Sequence, residues 1–160
     1  MIMKNLNHID ILLVEDSPAD VLITREAFEE FRLINTLHVV DDGVEALAFL
    51  NQAGKYASVP HPDLILLDLN LPRKSGREVL AEIKADSKFK SIPVVILSTS
   101  PAEQDVLQAY EHHANCYIVK PVGFDNFVTA MQSIRQFWFS VVTLPPEATY
   151  GQDPNPSPAN

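Results

Sequence analysis

The chain has one cysteine, few basic residues and no long apolar run. Cys116 cannot form a disulfide within the chain, and we expect a buried thiol, with oxidation between molecules as the alternative. Lysine and arginine number 12 against 21 acidic residues, and the net charge of -9 argues against a nucleic-acid partner because phosphate backbones select basic patches. No apolar run reaches the ~18 residues of a membrane span, and residues 1–10 lack the apolar core of a signal peptide. These features predict a cytoplasmic protein with no membrane partner.

The length and the position of the prolines indicate one folded domain. A chain of 160 residues suits a single domain that buries ~70% of its unfolded surface. The segment 145–160 is rich in proline and poor in apolar residues, so we expect it to be a flexible tail. We therefore divide the chain into an N-terminal extension (1–8), a folded domain (9–144) and this tail.

Four apolar runs each end at a polar residue that can carry chemistry. The polar residues are Glu15 and Asp16, Asp68, Ser98 and Lys120, and the runs before them are 11–14, 64–67, 94–97 and 117–119. Such runs fit strands that are buried on both faces, and the carboxyl ends of parallel strands share one edge of an open sheet. We therefore expect three acids, a hydroxyl and a lysine to converge in one crevice.

This set of side chains is typical of a metal and phosphoryl site. Two carboxylates about 4 Å apart repel each other by roughly 4 kcal/mol at an effective dielectric of ~20, so three clustered acids need a counter-ion. Mg²⁺, which prefers hard oxygen ligands, and Lys120 would supply the positive charge, and a phosphoryl group would bring oxygens that both prefer. Each residue alone has an ordinary explanation, as a solvated turn, a helix cap or a surface charge. Their joint position at four strand ends favours the functional interpretation.

The same segments resemble the receiver domain of two-component response regulators over residues 9–140. The resemblance is carried by LVED at 13–16, PDLILLDLNLP at 62–72 with Gly76, Ser98-Thr99, and YIVKP at 117–121. Further stretches at 41–50, 76–80, 114–117 and 137–138 resemble the single-domain regulators of bacterial and cyanobacterial phytochrome kinases. The resemblance implies an α/β fold: a doubly wound, flavodoxin-like parallel sheet in the order 2-1-3-4-5, with helices on both faces. It also implies that no DNA-binding output domain follows.

The resemblance assigns a phosphoacceptor and a Mg²⁺ site. Asp68 is the nucleophile that takes the phosphoryl group from a phosphohistidine of a histidine kinase, here a phytochrome-like one. Asp16, Asp68 and the backbone carbonyl of Asn70 would hold Mg²⁺, and Glu15 would act through metal-bound water. The protein would then be a signalling protein that catalyses only its own phosphorylation and dephosphorylation.

The resemblance also assigns a switch. Lys120 and Ser98 would bond phosphoryl oxygens, and Tyr117 would swing inward behind Ser98 and alter the face formed by helix 4, strand 5 and helix 5. Thr99 stands where receivers favour a smaller side chain, and it would narrow access to the phosphoryl group. The bond between Lys120 and Pro121 would be cis, as in the resembling family. Tyr117 has a simpler alternative as a half-buried strand residue.

The apolar runs alternate with segments of helical character. The predicted strands are 9–14, 37–40, a third that ends at Asp68, 94–97 and 116–119, and the predicted helices are 18–31, 43–50, 77–84, 101–112 and 124–139. We expect Ser100 to cap the fourth helix, with Pro101 in its first turn and Glu103 as the capping-box acid. Asp20 is expected to be the capping-box acid of the first helix. All five histidines are interpreted as structural or solvated.

The last helix predicts self-association. Phe127, Met131, Ile134 and Trp138 share one helical stripe that faces the sheet. The remaining apolar residues near the end of the domain are Phe137, Phe139, Val141, Val142 and Leu144. Because an exposed apolar patch marks an interface, we predict a homodimer through helix 4, strand 5, helix 5 and this extension, with Phe137, Trp138, Phe139, Val141 and Val142 at the interface. The alternative is that the chain folds back and covers the patch.

Two other functions remain open. Asp68-Leu69-Asn70 faintly resembles the D-x-D motif of aspartate-nucleophile phosphatases, but Asn70 cannot act as the second acid. A flavodoxin-like FMN carrier shares the expected fold, but Glu15 and Asp16 would repel the FMN phosphate.

Overall fold

Five parallel strands alternate with five α-helices along the chain, as the apolar runs predict. The structure is a computed structural model and describes residues 8–29, 35–138 and 144–145. The elements are β1 (Ile9–Val14), α1 (Pro18–Glu29), β2 (Asn35–Val40), α2 (Gly43–Leu50), a 3₁₀ turn (Gly54–Tyr56), β3 (Leu64–Asp68), α3 (Gly76–Ala85), β4 (Val94–Ser98), α4 (Glu103–Glu111), β5 (Cys116–Val119) and α5 (Phe124–Gln136). The order of the strands is β2-β1-β3-β4-β5, which confirms the predicted topology.

The two faces of the sheet carry separate hydrophobic cores because side chains alternate along each strand. Leu12 and Ile65 lie in a core with α2, α3 and α4. Leu13 and Leu66 lie in a second core with α1 and α5. The side chains of β1, β3 and β4 that enter these cores are almost fully buried, and each contributes about 1.5–3 kcal/mol of burial free energy. The three central strands are therefore a rigid base for the residues at their ends.

The starts of three helices follow different local rules. The amide of Asp20 donates to Ser17 Oγ at 3.3 Å, but the prediction that Asp20 is the capping-box acid is wrong, because the amide of Ser17 donates to Glu15 Oε1 at 3.1 Å and the Asp20 carboxylate binds Lys120. Ser75 and Glu78 form a reciprocal capping box at the start of α3, which the sequence analysis did not predict. The predicted Ser100 cap of α4 is wrong, since α4 begins at Glu103 after Ala102.

Gly76 allows α3 to start directly against the end of β3. A Cβ atom built on Gly76 would lie 2.1 Å from the carbonyl oxygen of Asp68, closer than any real contact. The amide of Gly76 also donates to the carbonyl of Leu69 at 2.9 Å. Glycine is therefore required where the helix meets the candidate phosphoacceptor strand.

The end of α5 corrects part of the predicted dimer interface. Trp138 is 8% exposed and packs in the second core, so its assignment to the interface is wrong: the indole completes the buried stripe instead. Phe137 is 51% exposed, and Leu144 packs against the same core as Trp138. Phe139, Val141 and Val142 lie outside the described residues, as do most of the segments 1–8 and 145–160 and the predicted end of the first helix.

Among the described residues, no helix is both long and apolar enough to cross a bilayer.

Candidate functional site

The register of the sheet brings the predicted site residues to one edge. Asp68 is aligned with Leu97 on the neighbouring strand β4, and Ser98 with Val119 on β5. Glu15 continues from β1, where its amide donates to the carbonyl of Val40 at 3.0 Å. Asp68 is 6% exposed, Glu15 3% and Ser98 1%. Polar groups that end neighbouring strands are thus collected in a partly dehydrated crevice.

Lys120 connects the carboxylates of the crevice. Its side chain is 8% exposed, and its Nζ donates to Glu15 Oε2 at 2.6 Å, Asp20 Oδ2 at 2.8 Å and Asp68 Oδ2 at 3.0 Å. An ammonium group has three N–H donors, so each donor has its own carboxylate. We refer to Lys120, Glu15, Asp20 and Asp68 as the lysine cluster.

Three acids in the crevice are close enough to bind one cation. One carboxylate oxygen each from Glu15, Asp16 and Asp68 lies within 4.8 Å of the others. Asp16 is exposed, so an ion could enter from solvent. The other oxygen of Asp68, Oδ1, accepts the amide hydrogen of Asn70 at 2.9 Å. The donor set consists of hard carboxylate oxygens, which are the ligands that Mg²⁺ prefers. Asn70 contacts Asp68 through its backbone amide, whereas the resemblance assigns its backbone carbonyl to Mg²⁺.

Burial and charge act in opposite directions on the ionisable groups. Burial raises the pKa of the Glu15 carboxyl to about 7, against the lowering effect of the hydrogen bond and positive charge of Lys120. For Lys120, burial lowers the ammonium pKa, but the hydrogen bonds to Asp20 and Glu15 outweigh it and the net pKa is above its usual value. Lys120 therefore remains charged, and the acids around it exceed what one cation can neutralise. The site favours a further cation.

The predicted switch residues meet at the loop between β4 and α4. Ser98 Oγ accepts the amide hydrogen of Ser100 at 3.2 Å. The hydroxyl of Tyr117, a half-buried residue of β5, donates to the carbonyl of Ser100 at 2.8 Å. Thr99 is exposed at the start of this loop. Ser98 and Tyr117 therefore contact the backbone of the same residue, Ser100, although they lie on different strands.

Ser100 extends these contacts to α3. Its hydroxyl donates to Asp105 Oδ2 at 2.6 Å and accepts from the amide of Ala102 at 3.3 Å, ahead of the first turn of α4. Asp105 also forms an ion pair with Arg77 at the start of α3. No local motif of the sequence indicates this connection, because it joins residues of two different helices.

The predicted cis bond between Lys120 and Pro121 is wrong. No peptide bond in residues 8–29, 35–138 and 144–145 is cis. The trans form is the lower-energy isomer of most X-Pro bonds, by about 0.5–1 kcal/mol.

Asp20 is a site residue that the sequence analysis assigned only to helix capping. It lies four residues after Asp16, in the first turn of a helix that starts at the crevice. Because α1 starts just after Glu15 and Asp16, its first turn lies beside the crevice, and this position is the signal that could have indicated Asp20.

A second ion-pair cluster lies at the end of β2. Arg73 Nε donates to Asp42 Oδ2 at 2.8 Å, and Arg73 Nη2 lies 3.4 Å from Glu45 Oε1. Lys55 Nζ lies 3.4 Å from Glu45 Oε2, and the hydroxyl of Tyr56 donates to the same carboxylate. We refer to these five residues as the arginine cluster.

Known proteins share both the sequence and the fold. The family model for the response regulator receiver domain matches residues 11–132. The response regulator Rcp1 of Synechocystis sp. is 50% identical over 135 residues, which cover 84% of this chain and 92% of that protein. The crystal structure of the phosphorylated cyanobacterial phytochrome response regulator RcpA has a TM-score of 0.84 at 49% identity, covering 87% of this chain and 99% of that one. The Mn²⁺-bound form of Rcp1 has a TM-score of 0.83 at 48% identity, covering 86% and 99%.

The match to the family model spans well over half of the chain, and the predicted fold and motifs agree with it. This chain therefore belongs to the response regulator receiver domain family.

Proposed function

We propose that Asp68 accepts a phosphoryl group from a phosphohistidine of a histidine kinase in a Mg²⁺-dependent reaction. The observation that carries this proposal is the position of Asp68, which belongs to both the lysine cluster and the group of three metal-binding acids, as Glu15 does, and which is the acid that ends the central strand β3 at the phosphoacceptor position of the receiver motif. Asp68 is thus next to both kinds of positive charge that phosphoryl transfer needs.

The chemistry follows from these positions. An oxygen of Asp68 attacks phosphorus in line, the bond from phosphorus to the histidine nitrogen breaks, and an acyl phosphate forms. Glu15, Asp16 and Asp68 would hold Mg²⁺, together with the carbonyl of Asn70. Bound Mg²⁺ neutralises charge on the equatorial phosphoryl oxygens. Lys120 donates to a phosphoryl oxygen.

Replacement of the acceptor tests this function. Asp68→Asn should abolish acid-stable, hydroxylamine-sensitive labelling by acetyl phosphate or by a phosphohistidine donor, because the amide is not a nucleophile. Asp41→Asn is the matched control, since Asp41 is exposed and also follows a strand. Full labelling of the Asp68→Asn protein would refute the assignment.

The phosphorylated site would signal through the loop between β4 and α4. A phosphoryl group adds about -1.5 to -2 charges and three acceptors. If the hydroxyl of Ser98 turns toward it, the contact of that hydroxyl with Ser100 is lost and Tyr117 is free to move inward. Lys120→Ala should keep Mg²⁺ binding and lose the change at α4 and α5. An NMR response identical to that of the wild type would contradict this role.

We further propose that the kinase is a phytochrome-type photoreceptor kinase in the cytoplasm. The support is the similarity to RcpA and Rcp1, of which RcpA is described as a phytochrome response regulator. Phosphotransfer profiling against the histidine kinases of the same genome should give the fastest transfer from a phytochrome-type kinase. Faster transfer from a kinase of another type would contradict the assignment.

A homodimer through α4, β5 and α5 remains a proposal. Exposed apolar side chains on these elements support it, namely Leu107, Tyr110, Val119 and Phe137, which are 40% to 54% exposed. The packing of Leu144 against the core supports the alternative, in which the chain folds back and covers part of the apolar patch.

Sedimentation of the protein at tens of micromolar distinguishes the homodimer from a monomer that covers its own apolar patch. We expect a dimer that Phe137→Asp dissociates. Leu22→Asp is the control, because Leu22 is equally exposed but lies on α1. A monomer of 17.8 kDa with and without phosphorylation would contradict the dimer.

A further inference from the structure

Asp20 differs from the other acids that bind Lys120. Glu15 and Asp68 also belong to the group of metal-binding acids, whereas Asp20 does not. A divalent ion would attract oxygens of Glu15 and Asp68 toward itself. Asp20 is then the one partner of Lys120 in the lysine cluster that has no competing ligand.

Asp20 is held firmly by the first turn of α1. Its amide donates to Ser17 Oγ at 3.3 Å, and its carbonyl accepts from Thr24 Oγ1 at 2.8 Å. Thr24 is 1% exposed and so belongs to the interior. The carboxylate of Asp20 therefore extends from a fixed backbone, with its side chain 29% exposed.

Lys120 needs such an anchor. Its ammonium is carried by a flexible four-carbon stem, and its three donors can be used separately. If one donor stays on Asp20, the other two can leave Glu15 and Asp68 for phosphoryl oxygens without displacement of the ammonium. Positioning of this kind lowers the barrier for a group that acts in the transition state.

We propose that Asp20 is a positioning residue that holds the ammonium group of Lys120 over Asp68 during phosphoryl transfer. The inference rests on the proposed function of Asp68 for its kinetic consequence, but the contact itself is testable without phosphorylation.

The first experiment measures the Lys120 ammonium group by ¹⁵N NMR in the metal-free protein. Asp20→Asn should accelerate exchange of the ammonium protons with water, and Asp20→Ala should accelerate it further, because the amide oxygen of asparagine still accepts a hydrogen bond. Glu26→Gln removes one negative charge from an exposed position on the same helix and should leave the exchange unchanged. Equal exchange in all three variants would overturn the proposal.

The second experiment measures the rate of phosphorylation by acetyl phosphate at saturating Mg²⁺. Asp20→Ala should slow it by about tenfold, the factor expected for loss of one charge-assisted hydrogen bond that orients a reacting group. Glu26→Gln should slow it by less than about twofold, as expected for a solvent-screened charge.

A double-mutant cycle separates positioning from a general structural effect. In the Lys120→Met background, Asp20→Ala should have no further effect on the rate, because the group that Asp20 positions is absent. The same tenfold loss in both backgrounds would show that Asp20 does not act through Lys120. If the wild type takes no phosphoryl group, the proposed function of Asp68 fails, and the ammonium measurement alone decides the contact.

Discussion

The lysine cluster and the arginine cluster both pair cations with carboxylates, but they differ in their surroundings. Each places a cation against two or more carboxylates near the carboxyl ends of the strands. The side chain of Lys120 is 8% exposed, whereas that of Arg73 is 54% exposed. The clusters also differ in charge balance, since one ammonium faces three carboxylates in the first and two cations, Arg73 and Lys55, face two carboxylates in the second.

The carboxylates of the arginine cluster are satisfied by their neighbours. Burial would raise the pKa of Asp42, but the amide of Glu45 and the side chain of Arg73 outweigh it, and the pKa lies below its usual value. The hydrogen bond from Tyr56 likewise lowers the pKa of Glu45. These acids are stable as anions without any additional cation.

In the lysine cluster the balance is reversed. Burial raises the pKa of Glu15 to about 7 although Lys120 is within hydrogen-bond distance. One ammonium is shared by three carboxylates, and Asp16 adds a fourth acid nearby. The lysine cluster therefore favours a further cation, whereas the acids of the arginine cluster are balanced by Arg73 and Lys55, whose side chains are exposed.

The largest effect is expected from Lys120→Met. It leaves Glu15, Asp20 and Asp68 facing one another in a dehydrated crevice, and removal of one partner from a buried ion pair costs about 3 kcal/mol or more. Urea unfolding of the metal-free protein should show this loss, and Mg²⁺ should restore part of it because it binds the folded state. Lys88→Met, at a lysine that is 50% exposed, should have little effect. A loss no larger than that of the control would contradict the importance of burial.

An intermediate effect is expected from Glu15→Gln. The folded state raises the pKa of Glu15 from 4.5 to about 7, so it binds a proton more tightly than the unfolded state. The stability due to this group is therefore present at low pH and is lost as pH rises from about 4.5 to 7, by up to about 3 kcal/mol. Urea unfolding of the metal-free protein across this range should show the decline in the wild type and a flatter profile in Glu15→Gln. Parallel profiles would refute the raised pKa.

The smallest effect is expected from Arg73→Met. Asp42 keeps its hydrogen bond from the amide of Glu45 at 2.8 Å, and the guanidinium of Arg73 is largely solvated. Thermal unfolding should therefore shift by much less than in Lys120→Met, and Mg²⁺ should stabilise the variant as it does the wild type. A shift equal to that of Lys120→Met would remove the distinction between the two clusters.

The sequence predicted the parts of the site that depend on strand ends. Asp68, Ser98 and Lys120 each end an apolar run, and parallel pairing alone brings such residues to one edge. Parallel pairing was predictable from the alternation of strands and helices, since helices between strands require parallel crossovers, whereas the strand order came from the resemblance to receiver domains.

The roles that the sequence did not indicate depend on contacts between segments that are distant along the chain. Asp20 has a sufficient local explanation in the first turn of α1, and its contact with Lys120 spans 100 residues of sequence. Ser100 was assigned to a helix cap by a motif that is valid locally, but α4 begins three residues later at Glu103, with Ala102 at the N-cap. The sequence pattern placed Trp138 both in the buried stripe and at an interface. In the structure its side chain packs in the second core, in agreement with the stripe.

The most direct test of this account is a titration with Mn²⁺, monitored by the broadening of amide NMR signals. Mn²⁺ is paramagnetic and occupies the same kind of oxygen site as Mg²⁺. The account predicts that Asp16→Asn strongly reduces the broadening at a given Mn²⁺ concentration, that Asp42→Asn leaves it unchanged, and that excess Mg²⁺ reverses it in the wild type. A loss of broadening in Asp42→Asn equal to that in Asp16→Asn, or a loss in Asp42→Asn alone, would contradict the claim that the lysine cluster, and not the arginine cluster, is the metal site.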